Sequence, residues 1–269
     1  MAGEPRPGYV WRMAYPKYRE GPFLVSQLRE GDPYELSEGH PIECLPSGPR
    51  GGASTVRGGA VLDTDPGARM TGTDIGFELG PGTMRAPDVA VGTFEDDTKG
   101  FAKAVPALAV EYADSGQDEG DLLVKIDQLF AAGTRWVWVV RLMGQKHVQV
   151  FEPGQTARRV DAGGLLHAPG VLTNAVLAES LWDRAAAHEA TLRNLLQRKG
   201  YASLDDVRDE GRDEGLRAAL FAVMAARGLV MDGTRAAKVQ ATRDPALLAR
   251  WVERAALALD VAEVFVGEP

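Results

Sequence analysis

The sequence is poor in residues that form covalent crosslinks or soft metal sites. Cys44 is the single cysteine among 269 residues, which excludes an intrachain disulfide and a cysteine zinc cluster. The four histidines show no metal-ligand spacing, and the serines lie in no nucleophile-elbow pattern. A Gly-x-x-x-x-Gly-Lys phosphate loop is also lacking. These absences argue against a disulfide-stapled protein, a zinc protein, a serine hydrolase and a P-loop nucleotidase.

Long hydrophobic runs are lacking as well. The longest apolar stretches are a handful of residues, such as residues 136–140, too short to cross a membrane. The N-terminus, MAGEPRPGYV, has no apolar run after its charges and is not typical of a secretory signal. We therefore expect a soluble, cytoplasmic protein with no membrane partner.

The sequence has no excess of positive charge. Its net charge is −8, and residues 61–130 alone carry 14 acidic and 5 basic residues. This acidic segment is either a solvated surface or a cation site built from carboxylates. Residues 131–200 carry 9 basic and 5 acidic residues. If the partner is a nucleic acid, this segment could form the rim that faces phosphates, with Arg135, Arg158, Arg159 and Arg184.

The hydrophobic pattern predicts a mixed α/β core followed by helices. Residues 1–33 are expected to form an irregular arm with one short helix near residues 24–29, and residues 34–45 two short strands around a glycine turn. Residues 47–60 contain five glycines and favour either a weak helix or a mobile loop. Strands are expected over residues 74–79, 89–91, 105–113, 135–142 and 147–152, with a helix over residues 118–132.

The C-terminal part has a different pattern. Its Ala/Leu-rich segments predict helices over residues 171–199, 203–227 and 244–260. A tandem Arg-Asp-Glu-Gly repeat at residues 208–215 is typical of a solvent-exposed helical face whose charges pair three or four residues apart. We expect no catalytic residue from this part.

Three residues of the core have the types that metal-assisted chemistry uses. Asp88 follows Pro87 at the start of a predicted strand, and Glu111 lies within the apolar strand between Val110 and Tyr112. A carboxylate in such a strand is costly to bury unless it is paired or binds a metal. Lys125 lies at the edge of the apolar stripe of the following helix. Taken alone, Asp88 could be a strand cap and Lys125 the surface partner of Asp121.

Taken together, these residues predict metal-dependent phosphodiester cleavage. Two carboxylates on neighbouring strands can share one Mg²⁺, whose bound water can become a nucleophile. A nearby lysine can position that water and stabilise the developing charge.

The order of several short motifs also resembles a known family. The resemblance covers residues 34–182 and is to the Uma-two family of restriction endonucleases, within the PD-(D/E)XK nuclease superfamily. The motifs are Tyr34-Glu35-Leu36, Gly48-Pro49-Arg50, TDIGFEL (73–79), MRAPDVAVG (84–92), LAVEYADSG (108–116), DLLVK (121–125), AAGTRWVWVV (131–140) and HVQVFEPG (147–154).

The resemblance implies a fold, a substrate and a set of site residues. The fold would be restriction-endonuclease-like, with a mixed central β-sheet flanked by helices. The substrate would be DNA and the cofactor Mg²⁺ or Mn²⁺. The metal would be held by Asp88, Glu111 and the Tyr112 backbone carbonyl, and Lys125, supplied by the helix after the glutamate as in the family, would orient the water. Glu43 is a further candidate, although an exposed position on its strand would make it ordinary surface.

A function of another class stays open. The turn Ala113-Asp114-Ser115-Gly116 departs from the family's usual Ser-Pro-Ser-like turn, and a helical extension follows the core. Both features suit a catalytically inactive binding or assembly module on a nuclease fold. The expected organisation is an arm at 1–33, a nuclease-like domain at 34–182 and a helical extension at 183–269. A homodimer is also left open.

Overall fold

The computed structural model describes residues 21–95, 99–115 and 118–266. Most of the expected N-terminal arm, residues 1–20, therefore lies outside the described residues. Gly116, the last residue of the turn that differs from the family's usual one, also lies outside them. In the described part of the arm, a 3₁₀ helix at Val25–Gln27 falls within the short helix expected near residues 24–29.

Three sheets are present in the described ranges. A six-stranded sheet has the order β10-β9-β8-β7-β6-β3, a four-stranded sheet the order β2-β1-β5-β4, and β11 pairs with β12. β7 and β8 are parallel, and the other pairs are antiparallel. The strands are β1 (Tyr34–Ser37), β2 (His40–Glu43), β3 (Met70–Gly72), β4 (Phe77–Gly80), β5 (Thr83–Arg85), β6 (Val89–Gly92), β7 (Leu108–Ala113), β8 (Trp136–Arg141), β9 (His147–Phe151), β10 (Arg158–Asp161), β11 (Leu165–Leu166) and β12 (Val176–Leu177).

Helices cover both faces of the six-stranded sheet. On one face, Val61 and Leu62 of α1 pack with Val110 and Tyr112 of β7. On the other face, Leu122, Ile126 and Leu129 of α2 pack with alternate residues of β7 and β8. The helices are α1 (Pro49–Thr64), α2 (Glu119–Ala132), α3 (Arg184–Arg198), α4 (Leu204–Ala226), α5 (Gly233–Ala241), α6 (Pro245–Leu257) and α7 (Val261–Val264).

This architecture confirms the predicted fold class, a mixed central sheet flanked by helices. The hairpin of β1 and β2 and the strands β7, β8 and β9 lie where the sequence pattern placed them. α2 begins at an Asp118 cap, whose side chain accepts hydrogen bonds from the N–H groups of Gly120 and Asp121, and it ends at Gly133, which has φ 115°. The strand expected over residues 74–79 is shorter, because Asp74 takes a positive φ of 53° and β4 begins at Phe77.

The glycine-rich segment forms a regular 16-residue helix, α1. Of the two alternatives from the sequence, the helix is correct and the mobile loop is wrong. Glycine costs a helix about 1 kcal/mol relative to alanine, but Gly51 and Gly58 are buried. A Cβ atom on Gly58 would lie 1.9 Å from the Tyr112 hydroxyl oxygen. This glycine therefore allows the helix to approach β7 closely, and packing outweighs propensity.

The prediction of one long helix over residues 171–199 is wrong in its first half. α3 begins only at Arg184, after β12 and a 3₁₀ helix at Ala178–Leu181. The carboxylate of Asp65, at the end of α1, accepts hydrogen bonds from the backbone N–H groups of Thr173 (2.7 Å) and Asn174 (3.0 Å). These two N–H groups are therefore not available for the backbone hydrogen bonds of a helix. Arg158–Asp161 (β10) and Gly233–Ala241 (α5) were not predicted.

The C-terminal helices form a unit with its own core. The contacts divide the chain between Leu195 and Leu196, and α4 to α7 surround Trp251 and Leu248, both fully buried. The helices predicted over residues 203–227 and 244–260 are confirmed as α4 and α6. The domain bounds 34–182 and 183–269 stay a prediction. In the described part of the chain, no helix is long and apolar enough to cross a membrane.

The repeat in α4 predicts a gain in stability on substitution. Gly211 and Gly215 are exposed, and a Cβ atom on either would meet no neighbour within 4 Å. The double change Gly211→Ala and Gly215→Ala should therefore raise the free energy of unfolding by about 1–2 kcal/mol, since each alanine removes about 0.5–1 kcal/mol of backbone entropy cost. Urea unfolding followed by far-ultraviolet circular dichroism measures this.

A matched control lies just after the same helix. Gly228 has φ 68°, so Gly228→Ala should lower stability, because an L residue is strained there. Equal stability of the double variant and the wild type would contradict the packing described for α4.

Candidate active site

A cavity of about 490 Å³ lies beside β7, α2 and the β1–β2 hairpin. Its lining combines carboxylates with two cationic side chains, Arg85 and Lys125. The acidic residues that line it are Glu35, Glu43, Asp88, Glu111, Asp114, Asp118 and Asp121. Five of these seven carboxylates, all but Glu35 and Glu43, come from the acidic segment at residues 61–130.

Asp88, the residue before β6, and Glu111 of the adjacent strand β7 both line the cavity. β6 and β7 are antiparallel, with Val89 opposite Val110, so Asp88 stands opposite Glu111 in the continued register. Alternate residues of a strand share a face, and Ala109 and Ala113 pack with α2. Glu111 therefore lies on the α2 face, and both carboxylates line the same cavity.

A backbone hydrogen bond fixes the Asp88 carboxylate. The N–H of Tyr112 donates to Asp88 Oδ2 at 2.6 Å. The Tyr112 side chain points to the opposite face, where its hydroxyl donates to the Leu181 carbonyl at 3.1 Å. Tyr112 therefore links the cavity to the core under α1.

Lys125 reaches the cavity from the edge of the buried stripe of α2. Its ammonium lies 2.8 Å from Glu111 Oε1, donates to Glu35 Oε1 at 2.8 Å and donates to the Ala86 carbonyl at 2.8 Å. Its side chain is 11% exposed. The sequence alternative, a surface pair with Asp121, is not what the structure shows.

Glu35 and Arg85 are site residues that the sequence reasoning did not select. Glu35 is buried in β1, and its Oε2 accepts from Arg85 Nη1 at 3.0 Å. The signal was present, because Glu35 lies between Tyr34 and Leu36 as Glu111 lies between Val110 and Tyr112. Glu43 was the candidate chosen instead. It lies exposed at the end of β2 and lines the same cavity.

Burial and ion pairing shift the pKa values in opposite directions. Burial raises the pKa of Glu111 to about 8, although the Lys125 ammonium opposes the shift. Burial also raises the pKa of Asp88, although the hydrogen bond from the Tyr112 N–H opposes the shift. Burial alone would raise the pKa of Glu35 and lower that of Lys125, but their ion pairs reverse both directions. Lys125 is therefore a cation held among carboxylates.

Arg50 and the arginines expected to face phosphates do not line the cavity. Arg50 Nε, at the start of α1, donates to Asp114 Oδ2 at 2.9 Å, which joins α1 to the loop after Glu111. The four arginines expected to form a phosphate-facing rim do not line the cavity. That expectation is not supported at this site, because β10, which carries two of them, is the far edge strand of the sheet.

Comparison with known proteins shows the family and supports the fold. The model of the Uma2 family, described as "Putative restriction endonuclease", matches residues 22–180, more than half of the chain. The chain belongs to the Uma2 family. This confirms the resemblance found in the sequence, and the cavity described above lies wholly within the matched residues.

A solved structure supports the same fold. The chain resembles the crystal structure of "a putative nuclease belonging to DUF820" from Anabaena variabilis ATCC 29413, with a TM-score of 0.52 and 19% identity. The match covers 62% of this chain and 99% of the other. A comparison with curated proteins found no match. Family and fold together support a nuclease, an enzyme that acts on nucleic acid.

Proposed function

We propose that this Uma2 protein is a metal-dependent endonuclease that hydrolyses DNA phosphodiester bonds at a PD-(D/E)XK-type site. The observation that carries the proposal is the meeting of three side chains in one cavity: Asp88, just before β6, opposite Glu111 of β7, with the Lys125 ammonium 2.8 Å from Glu111 Oε1. Each of these side chains comes from a different segment of the chain.

The donor set suits a hard divalent cation. Asp88 and Glu111 supply carboxylate oxygens, which Mg²⁺ and Mn²⁺ prefer. The N–H of Tyr112 points toward Asp88, and the carbonyl of the same residue points to that edge of the strand too. Asp88, Glu111 and the Tyr112 carbonyl would hold the ion, with waters completing its shell. Among the described residues, no group of three or more His, Cys, Asp or Glu side chains is placed to hold a metal, so the carbonyl and waters are needed.

The bound ion would polarise a phosphoryl oxygen and lower the pKa of a bound water. The protein's own residues do the rest. The Tyr112 N–H holds Asp88 in one orientation, and Lys125 keeps a positive charge next to Glu111. That ammonium would orient the attacking water and offset negative charge that develops on the phosphate. The burial of both groups strengthens these interactions relative to water.

Metal binding tests the proposed ligands. Asp88→Asn and Glu111→Gln should each abolish Mn²⁺ binding in calorimetric titration and cleavage of plasmid and single-stranded DNA with Mg²⁺. Asp127→Asn is the matched control, because Asp127 is exposed on α2 and loses the same charge. Wild-type Mn²⁺ affinity in both site variants would refute the ligand assignment.

One observation favours a second candidate, a catalytically inactive binding module. An ammonium has three N–H donors. Glu35 and the Ala86 carbonyl accept hydrogen bonds from two of them, and the ammonium also forms an ion pair with Glu111. At most one donor, the one beside Glu111, is left for a reacting water. If the protein binds DNA but neither binds Mn²⁺ nor cleaves, this candidate replaces the nuclease.

A further inference from the structure

A carboxylate outside the proposed catalytic set holds Lys125 in place. Glu35 Oε1 accepts a hydrogen bond from the Lys125 ammonium at 2.8 Å, and the Ala86 carbonyl accepts another at the same distance. Glu35 is only 6% exposed. These two contacts come from β1 and from the segment between β5 and β6, whereas the third contact is Glu111 of β7.

Glu35 is itself fixed from three directions. Its Oε1 also accepts from the Ala86 N–H at 3.1 Å, and its Oε2 from Arg85 Nη1 at 3.0 Å. Arg85 is 1% exposed, and its Nε donates to Gln128 Oε1 at 2.7 Å. Gln128 in turn donates to the Ser37 hydroxyl at 2.9 Å. Since Gln128 and Lys125 lie on the same helix, the network ties α2 to β1 and β5.

The three contacts of Lys125 are not equivalent if Glu111 is a metal ligand. Glu35 and Ala86 accept hydrogen bonds from two of its N–H groups, so the N–H that acts on a reacting water must be the one beside Glu111. Glu35 and Ala86 lie outside the proposed ligand set, so Glu111 is the partner whose contact can be exchanged. The remaining two contacts would then have to hold the ammonium in place.

We propose that Glu35, held by Arg85, is a positioning residue that anchors Lys125 at the site while the contact between Lys125 and Glu111 is exchanged. This rests on the proposed function. Glu35 touches neither the metal nor the DNA in this role, and it acts through Lys125 alone. Its removal should therefore lower the rate of cleavage and leave the affinity for metal unchanged.

A double-mutant cycle separates this role from a general structural one. In single-turnover cleavage of plasmid DNA with Mg²⁺, Glu35→Gln and Lys125→Met should each lower the rate roughly 10²-fold or more, the range of a lost group that stabilises developing charge. The variant with both changes should be no slower than Lys125→Met, because residues that act as one unit are not additive. Mn²⁺ affinity of Glu35→Gln should stay within about threefold of the wild type, a change of under 1 kcal/mol.

Two further variants keep the test decisive. Glu38→Gln is the matched control, because Glu38 is exposed in the turn after β1 and loses the same charge. Glu35→Asp keeps the charge but shortens the side chain, so that one carboxylate can no longer span Lys125 and Arg85. If Glu35→Gln fails to fold by circular dichroism, Glu35→Asp takes its place and should also slow cleavage.

A measurement without activity tests the anchor by itself. In ¹⁵N-labelled protein, the buried Lys125 ammonium should give a slowly exchanging NMR signal that Lys125→Met removes. Glu35→Gln should broaden or abolish this signal, and Glu38→Gln should leave it unchanged.

Each outcome decides between the two proposals. Wild-type cleavage by Glu35→Gln, a double variant slower by the product of both losses, or an unaltered ammonium signal would overturn the anchor and leave the nuclease standing. A wild-type protein that cleaves no DNA overturns the nuclease, whereas loss of the signal in Glu35→Gln would still show that Glu35 holds Lys125.

Discussion

Lys125→Met is expected to lower the free energy of unfolding by about 3–5 kcal/mol and to slow DNA cleavage roughly 10²-fold or more. The side chains of Glu35 and Glu111 are about nine-tenths buried, and each lies 2.8 Å from the ammonium. Among the described ion pairs, the variant would leave Glu111 without a cationic partner and Glu35 with Arg85 alone. Removing one partner of a buried ion pair costs about this much. Metal binding should persist wherever the variant is folded, because Asp88 and Glu111 remain.

The loss in stability should depend on pH. In the wild type the pKa of Glu35 lies below its ordinary 4.5, so this carboxylate contributes stability above that pH and loses it as the pH falls through the folded pKa. Without Lys125, both glutamates lose an interaction that lowers their pKa, so ionisation of these buried groups would stabilise the folded protein less. Urea unfolding should therefore show a larger loss near pH 8 than near pH 5.

An exposed lysine provides the comparison. Lys103 is exposed, and Lys103→Met should change the free energy of unfolding by less than about 0.5 kcal/mol at either pH. If Lys125→Met were as stable as Lys103→Met and cleaved DNA at the wild-type rate, Lys125 would be neither a structural hub nor a catalytic residue.

Gly58→Ala is expected to lower the free energy of unfolding by about 2–4 kcal/mol. The new Cβ atom would lie 1.9 Å from the Tyr112 hydroxyl oxygen and 3.5 Å from Leu181 Cδ2. The hydroxyl must therefore move and lose its hydrogen bond to the Leu181 carbonyl. Overpacking a core costs about 1–3 kcal/mol, and a buried polar group left unpaired about 1–3 kcal/mol. Chemical denaturation measures the loss.

The neighbouring glycine of the same helix is the control. At Gly59 a Cβ atom would meet only Thr73 Cγ2, at an ordinary 3.8 Å, so Gly59→Ala should raise stability by about 0.5–1 kcal/mol. If Gly58→Ala lowers stability and Gly59→Ala raises it, packing against Tyr112 accounts for the effect of Gly58→Ala. A stabilising effect of both would mean that α1 does not approach β7 closely.

Gly58→Ala should also disturb the site on the other face of the sheet. Tyr112 carries both the buried hydroxyl and the N–H that holds Asp88. A shift of its backbone should weaken Mn²⁺ binding in a variant with no change in any proposed ligand.

The parts of this fold that follow from local patterns were predictable. The continuous apolar run around Glu111 predicts a buried strand, and the capped apolar stripe of α2 predicts a helix, which is why Asp88, Glu111 and Lys125 could be selected together. α1 was ambiguous because its glycines are unfavourable locally and favourable only once Tyr112 lies beneath Gly58.

The parts that depend on distant contacts could not be predicted in this way. The segment at residues 171–183 has a helical composition, but Asp65 binds its backbone N–H groups from more than a hundred residues away. Glu35 shows the same limit. Its strand marks it as a buried carboxylate that needs a partner, yet only the approach of β1 to α2 reveals that the partner is Lys125.

Single-turnover cleavage of plasmid DNA by the wild type and by Glu111→Gln, with Mg²⁺ and with EDTA, tests the central claim most directly. Cleavage by the wild type with Mg²⁺, its loss with EDTA or in Glu111→Gln, and its retention in Asp127→Asn are the results that the proposed nuclease predicts. Equal cleavage by the wild type and Glu111→Gln, or none by the folded wild type with either Mg²⁺ or Mn²⁺, would contradict it.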